Sequence, residues 1–280
     1  MRFLGRLMTN EKPAGRWRKP AIALGVFLLV SLGIGPKVVD HYFLDAADGV
    51  ADRLGSVEIE YVALTGRQDP LFQQGWAFGE VSALGTEAVT KAQAESAVVG
   101  RAAAVGGMTT RFVVRSNRAN DLVITQMRAR VVRHAEPLTG TLVLPIPGGG
   151  PSPDPIVMAR FAVGGPDPRA YDGRDPARLL FADTNLVLKR DESMVLQVTG
   201  AAIGCYCEWV VDIELAIGTE VRTVTVPDVA TPLRVTAPVP RYQSVYQPPF
   251  GAPSDLMTVA DPTQACQGDC VVNPPAWQER

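Results

Sequence analysis

Histidine is nearly absent from this chain: the 280 residues hold only His41 and His134. There is no His-x-x-x-His pair, no Gly-x-Ser-x-Gly elbow and no Ser-x-x-Lys motif. These absences remove the commonest short signatures of zinc hydrolases and of serine nucleophiles. His41 follows closely on an apolar segment, and His134 ends a candidate strand beside Arg130 and Arg133, so both read as surface or strand-end residues. Gly148-Gly149-Gly150 runs into prolines instead of a helix, so its amides cannot form a phosphate cradle, and Gly164-Gly165-Pro166-Asp167-Pro168 is a loop of the same kind. Repeats of 20–50 residues are lacking as well. The sequence therefore assigns no catalytic, cofactor-binding or metal-ligating residue, and an enzyme is the less favoured reading.

Long apolar runs are equally scarce, and the single one, Pro20–Pro36 (PAIALGVFLLVSLGIGP), organises the rest. Its residues span roughly 25 Å as a helix, near the short end for a bilayer core of about 30 Å. Lys19 and Lys37 can reach outward along their aliphatic stems, and Trp17 suits the interface. The first 36 residues hold 6 of the 27 basic and 1 of the 29 acidic residues, leaving 21 and 28 for the remainder. The basic excess before the run places that end in the cytoplasm. A cleaved signal peptide is the alternative, with Gly33-Ile34-Gly35 before Pro36 as its only small-x-small spot. An acidic remainder argues against nucleic acid as a partner. The basic tail is expected to meet membrane lipid instead.

This divides the chain into a basic cytoplasmic tail (1–19), a transmembrane helix (20–36), a juxtamembrane stalk (37–55), an extracellular β-domain (56–237) and a proline-rich, cysteine-containing tail (238–280). Val57, Ile59 and Tyr61 alternate with Glu58 and Glu60, the pattern of a half-buried strand. Further strands are expected at Trp76–Phe78, Thr109–Arg115, Leu122–Arg133, Gly140–Ile146, Ile156–Val163, Leu179–Leu188, Ser193–Thr199, Glu208–Ala216, Val221–Val226 and Leu233–Thr236. The alanine-rich stretch Thr86–Ala104 predicts one helix ending at Gly106-Gly107, weakened by Gly100. The fold class is mainly β: an antiparallel immunoglobulin-like sandwich behind a transmembrane helix, with a barrel as alternative. Eight of the 43 residues from Pro238 onward are proline, which reads as a tail outside the sandwich. Deleting it is expected to leave a folded domain.

The four cysteines fall in two close pairs, Cys205-Tyr206-Cys207 and Cys266–Cys270. In an extracellular domain an even number suggests disulfides. On a strand, Cys205 and Cys207 would share one face with Cα atoms about 6.7 Å apart, at the limit for direct bonding. Bonds from Cys205 and Cys207 to Cys266 and Cys270 would staple the tail to the core. A local Cys266–Cys270 bond is the alternative, leaving the other two as a strained pair or as thiols. A four-thiolate zinc site has the wrong spacings. Asp167, Asp172, Asp175 and Asp183 suggest calcium, but Arg169, Arg174 and Arg178 among them suggest a salt-bridged loop.

Arg111–Gly150 (RFVVRSNRANDLVITQMRARVVRHAEPLTGTLVLPIPGGG) resembles a group of uncharacterised membrane-anchored actinobacterial proteins. In their extracellular domains a strand and polar turn precede "V-x-I-T", "P-L-x-G-T-L" and a Gly-rich loop. Phe161-Ala162-Val163, Asp167-Pro168, Glu192 and Cys207-Glu208-Trp209 follow in the same order, so the resemblance covers residues 56–237. It implies a membrane location and a β-sandwich, and lends no catalytic residues. The function expected is a membrane-anchored extracellular binding or scaffolding module of the cell envelope that contacts a protein partner. Tyr242, Tyr246, Phe250 and Trp277 are the candidate contact residues, because aromatics dominate interface energetics; packing of the tail on its own domain is their other reading. A wall-acting hydrolase or transferase and a small-ligand or metal sensor are the alternative functions.

Overall fold

The computed structural model describes residues 57–62, 74–145, 157–248 and 255–271. The segments expected as cytoplasmic tail, transmembrane helix and stalk, with Phe250 and Trp277, lie outside the described residues. Among the described residues, no helix is long and apolar enough to cross a membrane. The chain is mainly β, with short helices. Its strands, in chain order, are β1 (Val57–Val62), β2 (Trp76–Phe78), β3 (Val89–Thr90), β4 (Ala103–Val105), β5 (Gly107–Ser116), β6 (Leu122–Ala135), β7 (Thr141–Val143) and β8 (Val157–Val163). They continue with β9 (Tyr171–Asp172), β10 (Leu186–Leu188), β11 (Ser193–Ala202), β12 (Tyr206–Ile217), β13 (Glu220–Val226), β14 (Leu233–Thr236), β15 (Ser244–Gln247) and β16 (Leu256–Ala260). Among the described residues the helices are α1 (Lys91–Val98) and α2 (Pro262–Ala265).

Two sheets form. The smaller has the order β1-β5-β11-β8-β9; the larger runs β10-β6-β12-β14-β4-β2-β7-β15-β16-β3, with β13 also on β12. Most pairings are antiparallel, but β8–β11, β4–β14 and β7–β15 are parallel, so both sheets are mixed. That corrects the expectation of a purely antiparallel arrangement. The strand expected over Leu179–Leu188 is confined to β10; Leu179 to Ala182 instead form a turn, closed by Ala182 N donating to Leu179 O.

Alternation along the long strands builds the core. On β12, Trp209, Val211, Ile213 and Leu215 are fully buried, and on β6 so are Leu122, Ile124 and Met127. They meet Phe112, Phe161, Leu196 and Val198 of the smaller sheet in one apolar cluster. Each such side chain stabilises the fold by about 1.5–3 kcal/mol on full burial. Phe161 and Trp209 pack with ring centroids 5.9 Å apart and planes tilted by 55°. Gly200 on β11 makes this possible, because a Cβ there would collide with the Trp209 indole.

Two backbone crossings tie the sheets together. Gly106, at φ +76°, joins β4 to β5. Its N–H donates to Thr236 O of the larger sheet, and its carbonyl accepts from Ala202 N of the smaller. At the other flank, the loop after β8 lies against β6: Ala129 N donates to Pro168 O at 2.8 Å, and Ala170 N to Met127 O at 3.1 Å.

The alanine-rich helix is shorter than its composition suggests. Thr90 caps α1 through a reciprocal pair, its side chain accepting from Gln93 N while Gln93 Oε1 accepts from Thr90 N. Gly100, at φ +74°, lies just past its end. Ala103–Val105 then form β4, buried between β2 and β14.

The proline-rich segment is also more than a tail. Its β15 pairs in parallel with β7, and β16 pairs with β15. Val239, Tyr242, Val245, Cys266 and Cys270 pack with Ala77, Val105 and Leu142 in a second apolar cluster. Proline favours extended backbone, which suits a strand added at a sheet edge. Deleting residues 238–280 is therefore expected to unfold the domain instead of sparing it, seen as loss of a cooperative unfolding transition. Gly200→Ala should destabilise by about 2–3 kcal/mol in chemical unfolding, as overpacking against a rigid ring does; a neutral result would contradict the close sheet contact.

Candidate functional site

Period-two alternation turns the remaining β12 side chains outward. With Trp209, Val211 and Ile213 inside, Glu208, Asp212 and Glu214 lie on the outer face of the larger sheet. The register sets Glu208 opposite Arg133 of β6 and Arg234 of β14, and Asp212 opposite Thr225 of β13. A row of acids is thus flanked by cations on the neighbouring strands.

Glu208 Oε1 is a hub. It accepts from the Tyr206 hydroxyl at 2.6 Å and pairs with Arg234 Nε at 3.4 Å and Arg133 Nη1 at 3.7 Å. Arg133 also lies over the Tyr206 ring, 5.7 Å from its centroid. Burial, followed by the bond to Glu208, pushes the Tyr206 hydroxyl up to about 12. Arg234 further donates to Gly100 O. A second group centres on Asp212, which accepts from Arg130 Nε at 2.7 Å and Nη2 at 3.1 Å, and from Thr225 Oγ1 at 2.6 Å. Burial alone would raise Asp212, but the bonds from Arg130 and Thr225 outweigh it and hold the carboxyl below its usual range. A register shift at Glu214/Leu215 accompanies the bond from Thr125 Oγ1 to Glu214 Oε1, at 2.6 Å. The face carries paired charges held by long strands, with Val210 buried between Glu208 and Asp212, an arrangement suited to polar contact with another surface.

The aromatic contact candidates do not lie on such a surface. Tyr242 is 4% exposed and Tyr246 fully buried, which corrects their assignment as partner contacts. The Tyr246 hydroxyl donates to Gly85 O at 2.8 Å, and its backbone pairs with Val143 of β7. Burial raises the Tyr242 hydroxyl to about 12. Their aromatic bulk serves the domain's own core.

The cysteines pair locally. Cys266 bonds Cys270 across a Cα separation of 4.6 Å, and Cys205 bonds Cys207 across 5.6 Å. The staples between the two pairs do not form. Direct bonding of Cys205 to Cys207, disfavoured for a regular strand, is reached because Cys205 precedes β12 and follows Gly204 at φ +63°. The backbone bend shortens the separation. The second pair is seated by Asp261, which caps α2, and by Cys270 N donating to Pro240 O.

The acidic loop consumes its own charges. Asp167 binds Arg169 and the Tyr171 hydroxyl, Asp183 pairs with Arg178, and Asp172 and Asp175 accept from Arg174 N and Ala177 N. Those bonds, the Arg169 side chain's first, hold Asp167 well below the usual carboxylate range. Among the described residues, the metal-ligating side chains that converge are instead His134, Cys205 and Cys207. No family model, curated protein or solved structure matches the chain.

The lowered Asp212 carboxyl contributes stability that is present above its ordinary value, near 3.8, and is lost as pH falls through its folded value. Asp212→Asn should therefore cost up to about 1 kcal/mol at pH 7. That difference from the parent should shrink in unfolding curves recorded progressively below pH 4; a constant difference would show that Asp212 does not act through its charge.

Proposed function

We propose that the protein is a membrane-anchored binding or scaffolding module of the cell envelope, acting through its outer sheet face on a protein partner. The Pro20–Pro36 segment is the anchor, with the basic N-terminus inside and the β-domain outside. The finer fold reading, a sandwich of immunoglobulin-like proportions, rests on the single core shared by the two sheets. One observation carries the functional reading: the ordered row of Glu208, Asp212 and Glu214 flanked by Arg130, Arg133 and Arg234 on strands β6, β12 and β14. Such a patterned, rigid surface selects a partner of complementary charge and sets its orientation. Arg128 and Arg133 are exposed at this face and are the cations available to an incoming acidic group.

In-cell crosslinking of the full chain tests this. Arg128→Ala combined with Arg133→Ala is expected to reduce recovery of the crosslinked envelope protein by about tenfold or more, with little change in thermal unfolding because the Arg133–Glu208 pair is exposed on the Arg133 side. Undiminished recovery would remove the sheet face as the contact.

A further inference from the structure

The neighbourhood of the Cys205–Cys207 bond is more than a structural staple. The donor atoms of His134, Cys205 and Cys207 all lie within 4.8 Å of one another. Their convergence follows from the register: His134 stands directly opposite Cys207 on the antiparallel neighbour, so both side chains leave the same face. Gly204 bends the chain so that Cys205 joins them. We propose that, once the Cys205–Cys207 bond is reduced, these three residues form a site for a thiophilic divalent cation of the zinc class.

The surroundings fit a built site. Both sulfurs are fully buried, whereas His134 is exposed, so the imidazole marks the side from which a cation arrives. Gly164, at φ +84°, packs against the sulfurs: a Cβ there would stand 2.7 Å from Cys205 Sγ and 3.2 Å from Cys207 Sγ. Any larger residue would occupy the space that the sulfurs need in order to separate. Val163 O lies 3.8 Å from Cys205 Sγ and accepts its proton when that residue is a thiol. Zinc bonds of about 2.3 Å to sulfur and about 2.1 Å to nitrogen put neighbouring donors roughly 3.5–4 Å apart, within small side-chain movements of this cluster. Two thiolates neutralise the dication, and two cysteines with one histidine leave a fourth position for water.

The oxidised protein cannot hold the ion this way, because each sulfur is bonded to the other. Reduction by a thiol-class donor balances as follows. Two R–SH give up two electrons and two protons, R–S–S–R forms, the Cys205–Cys207 bond breaks, and two cysteine thiols result. Zinc then binds as both thiols release their protons to solvent and neutral His134 donates a ring nitrogen. A disulfide-class oxidant reverses the exchange and expels the ion. The cluster is thus a metal site gated by the redox state of its surroundings.

The test uses the full chain in detergent, oxidised or reduced with a phosphine that is then removed, and titrated with Zn2+ against a chromophoric chelator. Co2+ absorption in the thiolate charge-transfer region gives the spectroscopic signature. The reduced chain should take up one equivalent, and the oxidised chain should compete far more weakly. His134→Ala alters an exposed side chain and should weaken Zn2+ binding at least about tenfold, since even supporting residues around a metal contribute that much. Cys207→Ser should abolish the cobalt signature, whereas Cys266→Ser with Cys270→Ser should retain it. Unchanged affinity in His134→Ala overturns the proposal. So does equal binding by the oxidised chain, dependence on Cys266 and Cys270, or loss of the fold on reduction.

Discussion

The contact of the Trp209 indole with Phe161, across the bare backbone of Gly200, sets how closely the two sheets approach. Packed interiors tolerate neither voids nor extra atoms, so this spacing propagates along both sheets. Ile213, Leu215, Leu196 and Val198 are buried because the sheets face each other at that distance. The same alternation that sends Trp209 inward sends Glu208 and Asp212 outward, so the charged face is a geometric consequence of the core. Gly106 and the loop before β9 then lock the two layers with backbone hydrogen bonds, leaving little freedom for the sheets to slide.

The electrostatics of the outer face are local. Glu208 and Asp212 are matched by groups on both neighbouring strands and Glu214 by Thr125 of β6, and cross-strand pairs of this kind contribute modestly to stability while fixing side-chain orientation. Arg128 and Arg133 stay exposed while Glu208 and Arg234 are largely covered. The resulting surface combines fixed geometry with adaptable charge.

The long strands were legible from sequence because their signal is local: Thr109–Arg115, Leu122–Arg133, Ser193–Thr199 and Glu208–Ala216 all carry runs of β-formers. Trp76–Phe78 was legible as well, but β3, β4, β9 and the parallel pairings were not, since Ala103–Val105 becomes a strand only when Leu233–Thr236 lies beside it. Alanine content argued for a helix there, and burial between two strands overruled it. Tyr242 and Tyr246 looked like contact residues because proline composition masked the apolar partners waiting at β7. At the cysteine cluster the error was one of geometry: a regular strand was assumed where Gly204 bends the chain. The neighbourhood of His134 and Cys207 depends on register between distant strands, which no local pattern reports.

The parallel seating of β15 on β7 has a consequence for biogenesis. About a hundred residues separate the two strands, so β7 is synthesised long before its partner exists. Until residues 244–247 emerge, β7 is an open edge with unpaired amides, and its apolar cluster lacks Val245, Cys266 and Cys270. The domain therefore completes itself last at the end farthest along the chain. A nascent chain halted before that point would hold strand-forming segments without the partner that completes their fold, and would present an adhesive border.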